Sequence, residues 1–112
     1  MENITDTKTL ELIGKNLKYL RKRTFKEIRN KNNKLVLKRL VQKELAKEVL
    51  NVTFQQIQKY EKGVNRLCAL KLYKLSKFFG IPMEYFFDNQ FINRQSYTKV
   101  FREQNVQQQH NI

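Results

Sequence analysis

The chain has 112 residues, and its 23 lysines and arginines against 10 aspartates and glutamates give a net charge of +13. This length allows a single small domain with tails and excludes an enzyme with a deep cleft and a separate cofactor domain. The positive charge favours a phosphate-rich partner first and an anionic membrane surface second. Residues 15–43 hold twelve of the basic residues and one acid, Glu27, although a solvated helical face or a general lysine bias produces the same clustering.

The composition predicts an all-α fold, because 3 glycines and 1 proline leave few chain breakers while leucine, lysine, glutamate and glutamine are plentiful. Cys68 is the single cysteine, so no intramolecular disulfide is expected. No apolar run approaches the roughly 20 residues that span a bilayer. The polar N-terminal residues do not resemble a secretory signal. We therefore expect a cytoplasmic protein without a membrane partner.

The first predicted helix starts at Thr9, after a lead of residues 1–8 that we expect to be disordered. Apolar residues then recur at intervals of three and four, which is the spacing of one helical face. They are Leu10, Ile13, Leu17 and Leu20. Lysines and arginines lie between them, so this helix has an apolar inner stripe and a basic outer face.

Residues 24–39 admit two interpretations. In the one we favour, Phe25 and Ile28 extend the first helix, a turn follows, and the second helix extends backward past Val41 to complete a helical hairpin. The turn is marked by Asn30, Asn32 and Asn33. Val41 supports this interpretation, because its side chain cannot serve as the N-cap of a helix that starts directly after it. In the alternative, residues 35–37 form a short extended strand.

A helix, a tight turn and a second short helix are predicted for residues 40–63. Asn51 suits the left-handed position that closes the second helix. Thr53 is a good N-cap for the third helix, and Gln56 lies three residues further on, as in a capping box. Gly63 ends this helix. A short polar helix held on another helix, in so basic a chain, is typical of insertion into the major groove of DNA.

Two further helices are predicted after the third. The fourth covers Ala69–Phe79 and is closed by Gly80, and Pro82 starts a short fifth helix. The aromatic cluster of residues 83–87 is interpreted as core and dimer surface rather than as a cofactor site.

The last segment, residues 89–112, becomes rich in glutamine and asparagine. Tyr97, Val100 and Phe101 predict one or two further amphipathic helical turns, which make a candidate dimer helix. Disorder is expected beyond Asn105.

The positions that together carry a family resemblance are Leu40, Gln42, Glu44, Leu45, Ala46, Val52, Thr53, Gln55, Ile57, Lys59, Tyr60, Glu61, Lys62 and Gly63. With the helices on either side, residues 13–23 and 40–88 resemble the phage repressor/Cro type of helix-turn-helix, the XRE family of bacterial regulators. The resemblance implies a lambda-repressor-like, five-helix DNA-binding domain at residues 9–88. Residues 24–39 are then an insertion that extends the hairpin between the first two helices.

The chain departs from the family pattern in three ways. The connection between the first two helices is much longer than usual. The second helix is one residue longer, judged from the spacing between Ala46 and Ile57. Val41 replaces the usual Ser or Thr cap, and a second helix that extends backward would have no free N–H groups there to bind a phosphate.

The resemblance implies a sequence-specific transcriptional regulator whose third helix reads base edges in duplex DNA. Glutamine pairs with adenine through two hydrogen bonds, and lysine reaches the acceptors of guanine. The candidate base-reading residues are Phe54, Gln55, Gln56, Gln58 and Lys59. Phe54 is unusual at such a position, where it meets either a thymine methyl group or the second helix.

Phosphate contacts orient a protein on the duplex without selecting its sequence. The candidates for this role are Gln42, Thr53, Lys62, Asn65 and Arg66, with backbone N–H groups after Gly63. Further electrostatic affinity is expected from Lys15, Lys18, Lys22, Lys31, Lys34, Lys38 and Arg39, each of which is otherwise a solvated surface residue.

The resemblance also implies an ion pair between Arg21 and Glu61 that locks the first helix to the end of the third. It implies a homodimer on a palindromic operator, with half-sites about one helical turn apart. The alternative is an antitoxin or adaptor of the same fold, whose basic insertion binds RNA, a membrane or a protein.

An enzyme is not expected. His110 is the single histidine and lies in the predicted tail, and Cys68 has no histidine near it in sequence. No carboxylate pair, metal-ligand spacing or glycine-rich phosphate loop is present in the sequence. We therefore expect no metal, no cofactor and no small-molecule ligand.

Overall fold

The computed structural model describes residues 6–94 and 96–102, and within them a small three-stranded sheet with an exposed edge strand accompanies a helical core. In chain order the elements are α1 (Asp6–Lys22), β1 (Thr24–Arg29), β2 (Leu35–Arg39), α2 (Gln42–Glu44, continued by a π-helical turn at Leu45–Leu50), α3 (Phe54–Lys62), α4 (Ala69–Phe79), a 3₁₀ helix (Met83–Phe87), α5 (Phe91–Arg94) and β3 (Lys99–Arg102). The first helix starts at Asp6 rather than at Thr9, and residues 1–5 of the predicted lead lie outside the described residues.

The helices enclose one apolar core. Its fully buried members include Leu17, Leu20, Leu45, Ile57, Leu75, Phe79 and Phe86. Gly14 lets α1 approach α3 closely, because a Cβ atom there would lie 2.4 Å from the carbonyl oxygen of Tyr60. Asn16 is buried beneath these helices and donates its amide to the carbonyl of Phe86 at 3.0 Å, which ties α1 to the 3₁₀ helix.

The prediction of an all-α fold is wrong. Residues 24–39 form a β-hairpin in which β1 and β2 are antiparallel, with Phe25 opposite Arg39 and Arg29 opposite Leu35. The strand β3 then pairs in parallel with the free edge of β1, giving a three-stranded mixed sheet in the order β2-β1-β3. The extended alternative for residues 35–37 was therefore the correct one, while the backward extension of the second helix does not occur.

The β-hairpin was not predicted from the sequence because Lys26 occupies an inward position on β1. Thr24, Lys26 and Ile28 share the face that turns toward the helices, so a charged residue interrupts the apolar alternation typical of a strand. The asparagines do form the turn, as predicted. The side chain of Asn30 accepts hydrogen bonds from the N–H groups of Asn32 and Lys34, at 2.9 and 3.0 Å.

The helix α2 contains an unusual turn. Leu45–Leu50 has π-helical hydrogen bonding, and the N–H of Asn51 donates to the carbonyl of Ala46, five residues earlier. A π turn holds one residue more than an α turn, so it accommodates the extra residue of this helix while Leu45, Ala46 and Leu50 stay buried. Asn51 then closes the helix in the predicted left-handed conformation, with φ 53°.

The predicted caps of the next two helices are confirmed. Thr53 is the N-cap of α3, and its side chain accepts a hydrogen bond from the N–H of Gln56 at 3.2 Å. Gly63 and Gly80 end α3 and α4 with φ values of 74° and 70°, which glycine adopts without strain.

The C-terminal segment folds back onto the hairpin. The predicted helical turns at Tyr97, Val100 and Phe101 are wrong, because β3 covers Lys99–Arg102 and needs β1 as a partner that local sequence does not reveal. Phe101 stacks on Phe78 of α4 with 4.6 Å between ring centroids. Tyr97 donates its hydroxyl to the carbonyl of Phe79 at 2.6 Å, and burial raises its pKa to about 12. The disorder expected beyond Asn105 concerns residues outside the described part.

Candidate nucleic-acid interface

The helices α2 and α3 are joined by a short turn at residues 51–53, and α3 presents one polar side to solvent. Ile57 and Tyr60 are buried in the core, which fixes the rotation of the helix about its axis. Gln55 and Lys59, spaced by one helical turn, are exposed on the opposite side, and Gln58 is half-buried beside them. The amide of Gln55 and the ammonium group of Lys59 therefore project into solvent from a helix whose rotation is fixed by packing.

Phe54 lies at the start of α3 and contacts α2. The ammonium group of Lys43 is 5.7 Å from the centre of its ring, which is a cation–π distance. Phe54 is half-buried, so part of its ring stays accessible beside this positive charge. The two expected roles of Phe54, packing against the second helix and contact with a base, are thus sterically compatible.

Gln56 is held by a hydrogen bond within the chain. Its Oε1 accepts from Nδ2 of Asn65 at 2.9 Å, which links α3 to the segment after Gly63. Gln56 therefore does not complete a capping box with its side chain, and its N–H is bound by Thr53. Gln56 was predicted to contact a base and Asn65 to contact a phosphate. The hydrogen bond between them orients both side-chain amides.

Arg21 and Glu61 lie against each other where α1 meets the end of α3. Arg21 Nε donates to Glu61 Oε2 at 2.6 Å, and its Nη2 donates to Oε1 at 3.0 Å. The two side chains are 10% and 3% exposed. Gln42 Nε2 also donates to Glu61 Oε1 at 2.9 Å, so the carboxylate is bound from both α1 and α2.

The start of α2 differs from its expected form. Val41 is extended, with φ −101° and ψ 163°, and the helix begins at Gln42. Glu44 replaces part of the missing cap, because its Oε1 accepts from the N–H of Val41 at 3.2 Å. The N–H of Glu44 donates to the carbonyl of Val41 at 3.1 Å. Since the helix does not continue backward, the N–H groups of Gln42 and Lys43 have no acceptor within the helix and remain suited to a phosphate.

The other candidate phosphate residues lie on the surface around α3. Thr53, Lys62 and Arg66 are exposed, and Asn65 is half-buried. Arg66 also donates to Asp6 at the start of α1 at 3.2 Å, but both side chains are largely exposed, so this contact contributes little stability.

The hairpin is attached to α2 through an ion-pair cluster. Lys26 Nζ lies 2.7 Å from Glu44 Oε2 and 2.8 Å from Glu48 Oε2. Burial by itself lowers the pKa of Lys26, but hydrogen bonds and charge from the two carboxylates outweigh it, so its pKa is raised. Burial likewise favours a higher pKa for Glu44, and the hydrogen bonds from Lys26 and the Val41 N–H outweigh it, so that pKa is lowered.

Two residues of this surface were missed by the sequence analysis. Lys43 was treated as part of a general basic surface, and its contact with Phe54 depends on how α2 and α3 cross, so the sequence carries no signal for it. Lys26 was assigned to a helix, and the signal that reveals its partners is the pair of acids Glu44 and Glu48, one helical turn apart.

Within residues 6–94 and 96–102, no His, Cys, Asp and Glu side chains cluster in a way that would hold a metal ion. His110 lies outside the described part. Across the described helices, none combines the length and the apolar character that crossing a bilayer requires.

Two helices joined by a tight left-handed turn, with the second held by its buried side and polar on its outer side, define a helix-turn-helix protein. The model of the helix-turn-helix family HTH_3 matches residues 26–86, which is more than half of the chain. The chain therefore belongs to this family, whose members are of the XRE type.

Curated relatives support the same assignment. An uncharacterized transcriptional regulator in the ATPase CF(0) region of Rhodospirillum rubrum is 42% identical over 62 residues, covering 55% of this chain and 54% of that protein. Uncharacterized HTH-type transcriptional regulators of Sinorhizobium medicae and Sinorhizobium fredii are 50% and 52% identical over 42 residues, covering 38% of this chain. The match spans about half, or less, of the length of these relatives.

Proposed function

We propose that the protein is a transcriptional regulator that binds duplex DNA in a sequence-specific manner, with α3 in the major groove. The observation that carries this proposal is the polar side of α3, where Gln55 and Lys59 are exposed while Ile57 and Tyr60 are anchored in the core. A helix whose rotation is fixed by packing can present its side chains to base edges in a defined register.

In this proposal, side chains in the first half of α3 contact the base edges. Gln55 is exposed and offers a donor and an acceptor to adenine, while Lys59 one turn later suits guanine. Gln58 flanks them, and Phe54 offers its ring edge to a thymine methyl group. Gln56 contributes mainly by holding Asn65, since its Oε1 is already bound.

Phosphate contacts surround this helix and set its orientation. Gln42 lies at the N-terminus of α2, where the N–H groups of Gln42 and Lys43 and the helix dipole favour an anion. Thr53, Lys62, Asn65 and Arg66 supply the remaining polar groups around α3. These contacts give affinity without distinguishing one sequence from another.

We further infer that the protein acts as a two-fold dimer on a palindromic operator, because one such helix reads only a few base pairs. Large apolar side chains exposed after α3 make a suitable surface: Leu70, Tyr73 and Phe87. Phe86 of the predicted aromatic cluster and Phe91 of the following segment are buried in the core of the chain instead, so only part of the cluster is available to a partner.

Selection of binding sites from a random duplex library in moderate salt tests this function. The proposal expects enrichment of one sequence with two-fold symmetry and a weaker binding of unrelated duplexes. Binding that shows no preference for duplex over single-stranded RNA, or none among duplex sequences, contradicts it and favours an adaptor of the same fold.

A further inference from the structure

We propose that the β1–β2 hairpin is a second DNA-contacting element whose tip binds phosphates outside the base pairs read by α3. This inference rests on the proposed function, because it assumes that α3 docks on a duplex. It adds a surface that the helix-turn-helix itself does not contain, and it assigns a partner to the inserted residues 24–39.

The charge of the hairpin fits a phosphate backbone. Residues 24–39 carry six lysines and arginines and one acid, Glu27. Glu27 lies on β1, away from the tip, and its Oε2 is 3.7 Å from Nε of Arg102 on β3. Among the described residues, no ion pair includes Lys31 or Lys34, and both are exposed. The tip therefore presents positive charge that nothing in the described chain neutralises.

The position of the hairpin places its base beside the proposed DNA surface. β2 ends at Arg39, three residues before Gln42, so the two lie within about 10 Å of each other. The N–H of Leu40 donates to the carbonyl of Thr24 at 2.8 Å, and Lys26 binds two carboxylates of α2. The base of the hairpin is thus fixed beside the end of α2 that we assign to a phosphate.

Lys26 also reduces an electrostatic obstacle. Glu44 and Glu48 would repel a nearby phosphate backbone if they stood alone on α2. Because Lys26 lies within 2.8 Å of both, the hairpin supplies the countercharge on the same side of the molecule.

The tip is ordered before any partner binds. Asn30 bridges the turn through its side chain, and Asn33 adopts a left-handed conformation with φ 61°. Arg29 Nη1 donates to the carbonyl of Asn33 at 2.7 Å and braces the turn from β1. Lys31 and Lys34 are therefore presented on a rigid support, which reduces the entropy lost on binding.

The length of the hairpin determines how far from α2 its tip can contact the duplex. β2 has five residues, which span about 17 Å at the usual rise of a strand. That distance corresponds to about five base pairs of duplex.

The test compares two variants that change the net charge equally. Lys31→Ala/Lys34→Ala alters the tip, and Lys18→Ala/Lys22→Ala removes two exposed lysines from α1, outside both α3 and the proposed dimer surface. Binding of each to the selected duplex is measured by fluorescence anisotropy across a salt series. We expect the tip variant to reduce the log–log salt slope by about 1.8, since each phosphate contact contributes about 0.9, and the control to change it much less.

A second measurement uses the same duplex shortened by about five base pairs on each flank, the reach of the hairpin. The wild-type protein and the control should lose affinity, whereas the tip variant should bind both duplexes alike. Equal thermal midpoints for all three proteins verify folding. Equal slopes and equal flank dependence for the two variants overturn the inference, as does a larger effect of the tip variant on RNA or on anionic phosphatidylserine vesicles. If the wild type binds no duplex at all, the proposed function fails instead.

Discussion

Arg21 and Glu61 illustrate how a single pair of residues organises the DNA-binding helices. The carboxylate accepts three hydrogen bonds, two from Arg21 and one from Gln42, in a nearly buried position. Such a pair adds little net stability compared with an apolar pair, but removal of one partner leaves a charge without compensation. Its role is therefore to define how α1, α2 and α3 meet.

We expect Arg21→Ala to lower the free energy of unfolding by about 3 kcal/mol, because Glu61 is left buried without its cation. Lys18→Ala, on the exposed side of the same helix, should change it by no more than about 0.5 kcal/mol. Urea unfolding of both variants checks this difference. The double variant Arg21→Met/Glu61→Leu should recover part of the loss. Equal effects of the two single variants would contradict a structural role for the pair.

In the proposed function, Gln55 is the residue on which sequence preference depends most directly. Gln55→Ala should weaken binding to the selected operator by about ten- to a hundredfold, the worth of one two-bond contact to a base. Unrelated duplexes should be bound nearly as before. Lys62→Ala is the comparison, and it should weaken binding to all duplexes by a similar factor, since phosphates carry no sequence information. Anisotropy titrations with operator and scrambled duplexes distinguish the two patterns.

At the scale of elements, the hairpin is joined to α2 by groups that titrate. The pKa of Glu44 is lowered in the folded protein, so its contribution to stability is present above its ordinary pKa of 4.5 and is lost as the pH falls through the lower folded value. The side chain is partly exposed, which limits the contribution to about 0.5 kcal/mol.

We therefore expect Glu44→Gln to destabilise the attachment of the hairpin at neutral pH and to have little effect in acid. Amide hydrogen exchange of β1 and β2, compared between wild type and variant at both pH values, measures this attachment. Glu84→Gln, an exposed acid on the 3₁₀ helix, is the control and should leave exchange in the hairpin unchanged. A difference between wild type and Glu44→Gln that persists at low pH would show that Glu44 acts through packing rather than through its charge.

The elements also show which features local sequence can reveal. The caps of α3 and α4 follow from single residues, Thr53, Gly63 and Gly80, whose side chains or backbone freedom determine where a helix starts or stops. The strands cannot be predicted from single residues in this way. β1 carries Lys26 on its inward face, and its partner β3 lies some seventy residues further along the chain.

The candidate site was predictable to a similar degree. The exposure of Gln55 and Lys59 follows from the helical spacing of Ile57 and Tyr60, which the sequence displays. The bond between Gln56 and Asn65 does not follow, because it depends on the path of the chain after Gly63. The position of Lys43 over Phe54 also depends on how α2 and α3 cross.

At the scale of the whole molecule, the dimer that we propose would determine how many base pairs are read. The fold leaves Phe87, Tyr73 and Leu70 exposed, and burial of such residues would stabilise a two-fold pair. Sedimentation equilibrium at micromolar concentrations should give twice the mass of the 13.6 kDa chain. Phe87→Asp should shift the protein toward the monomer, whereas Val64→Asp, another exposed apolar position, should not. A monomeric wild type would contradict the dimer.

The surface of the molecule then divides into three regions. The polar side of α3 is assigned to base edges, the hairpin tip to flanking phosphates, and the apolar positions after α3 to a second copy. All three are held on the same core, because Arg21, Lys26 and Asn16 each join α1 or the hairpin to the helices that follow.

The most direct test of the central claim is a titration of ¹⁵N-labelled protein with the selected duplex, followed by amide chemical shifts. If α3 is the element that enters the major groove, the largest changes will fall on residues 53–59 and on the first turn of α2, with smaller changes at the hairpin tip. Changes restricted to the sheet, with residues 53–59 unaffected at saturation, would contradict the claim that this helix reads DNA.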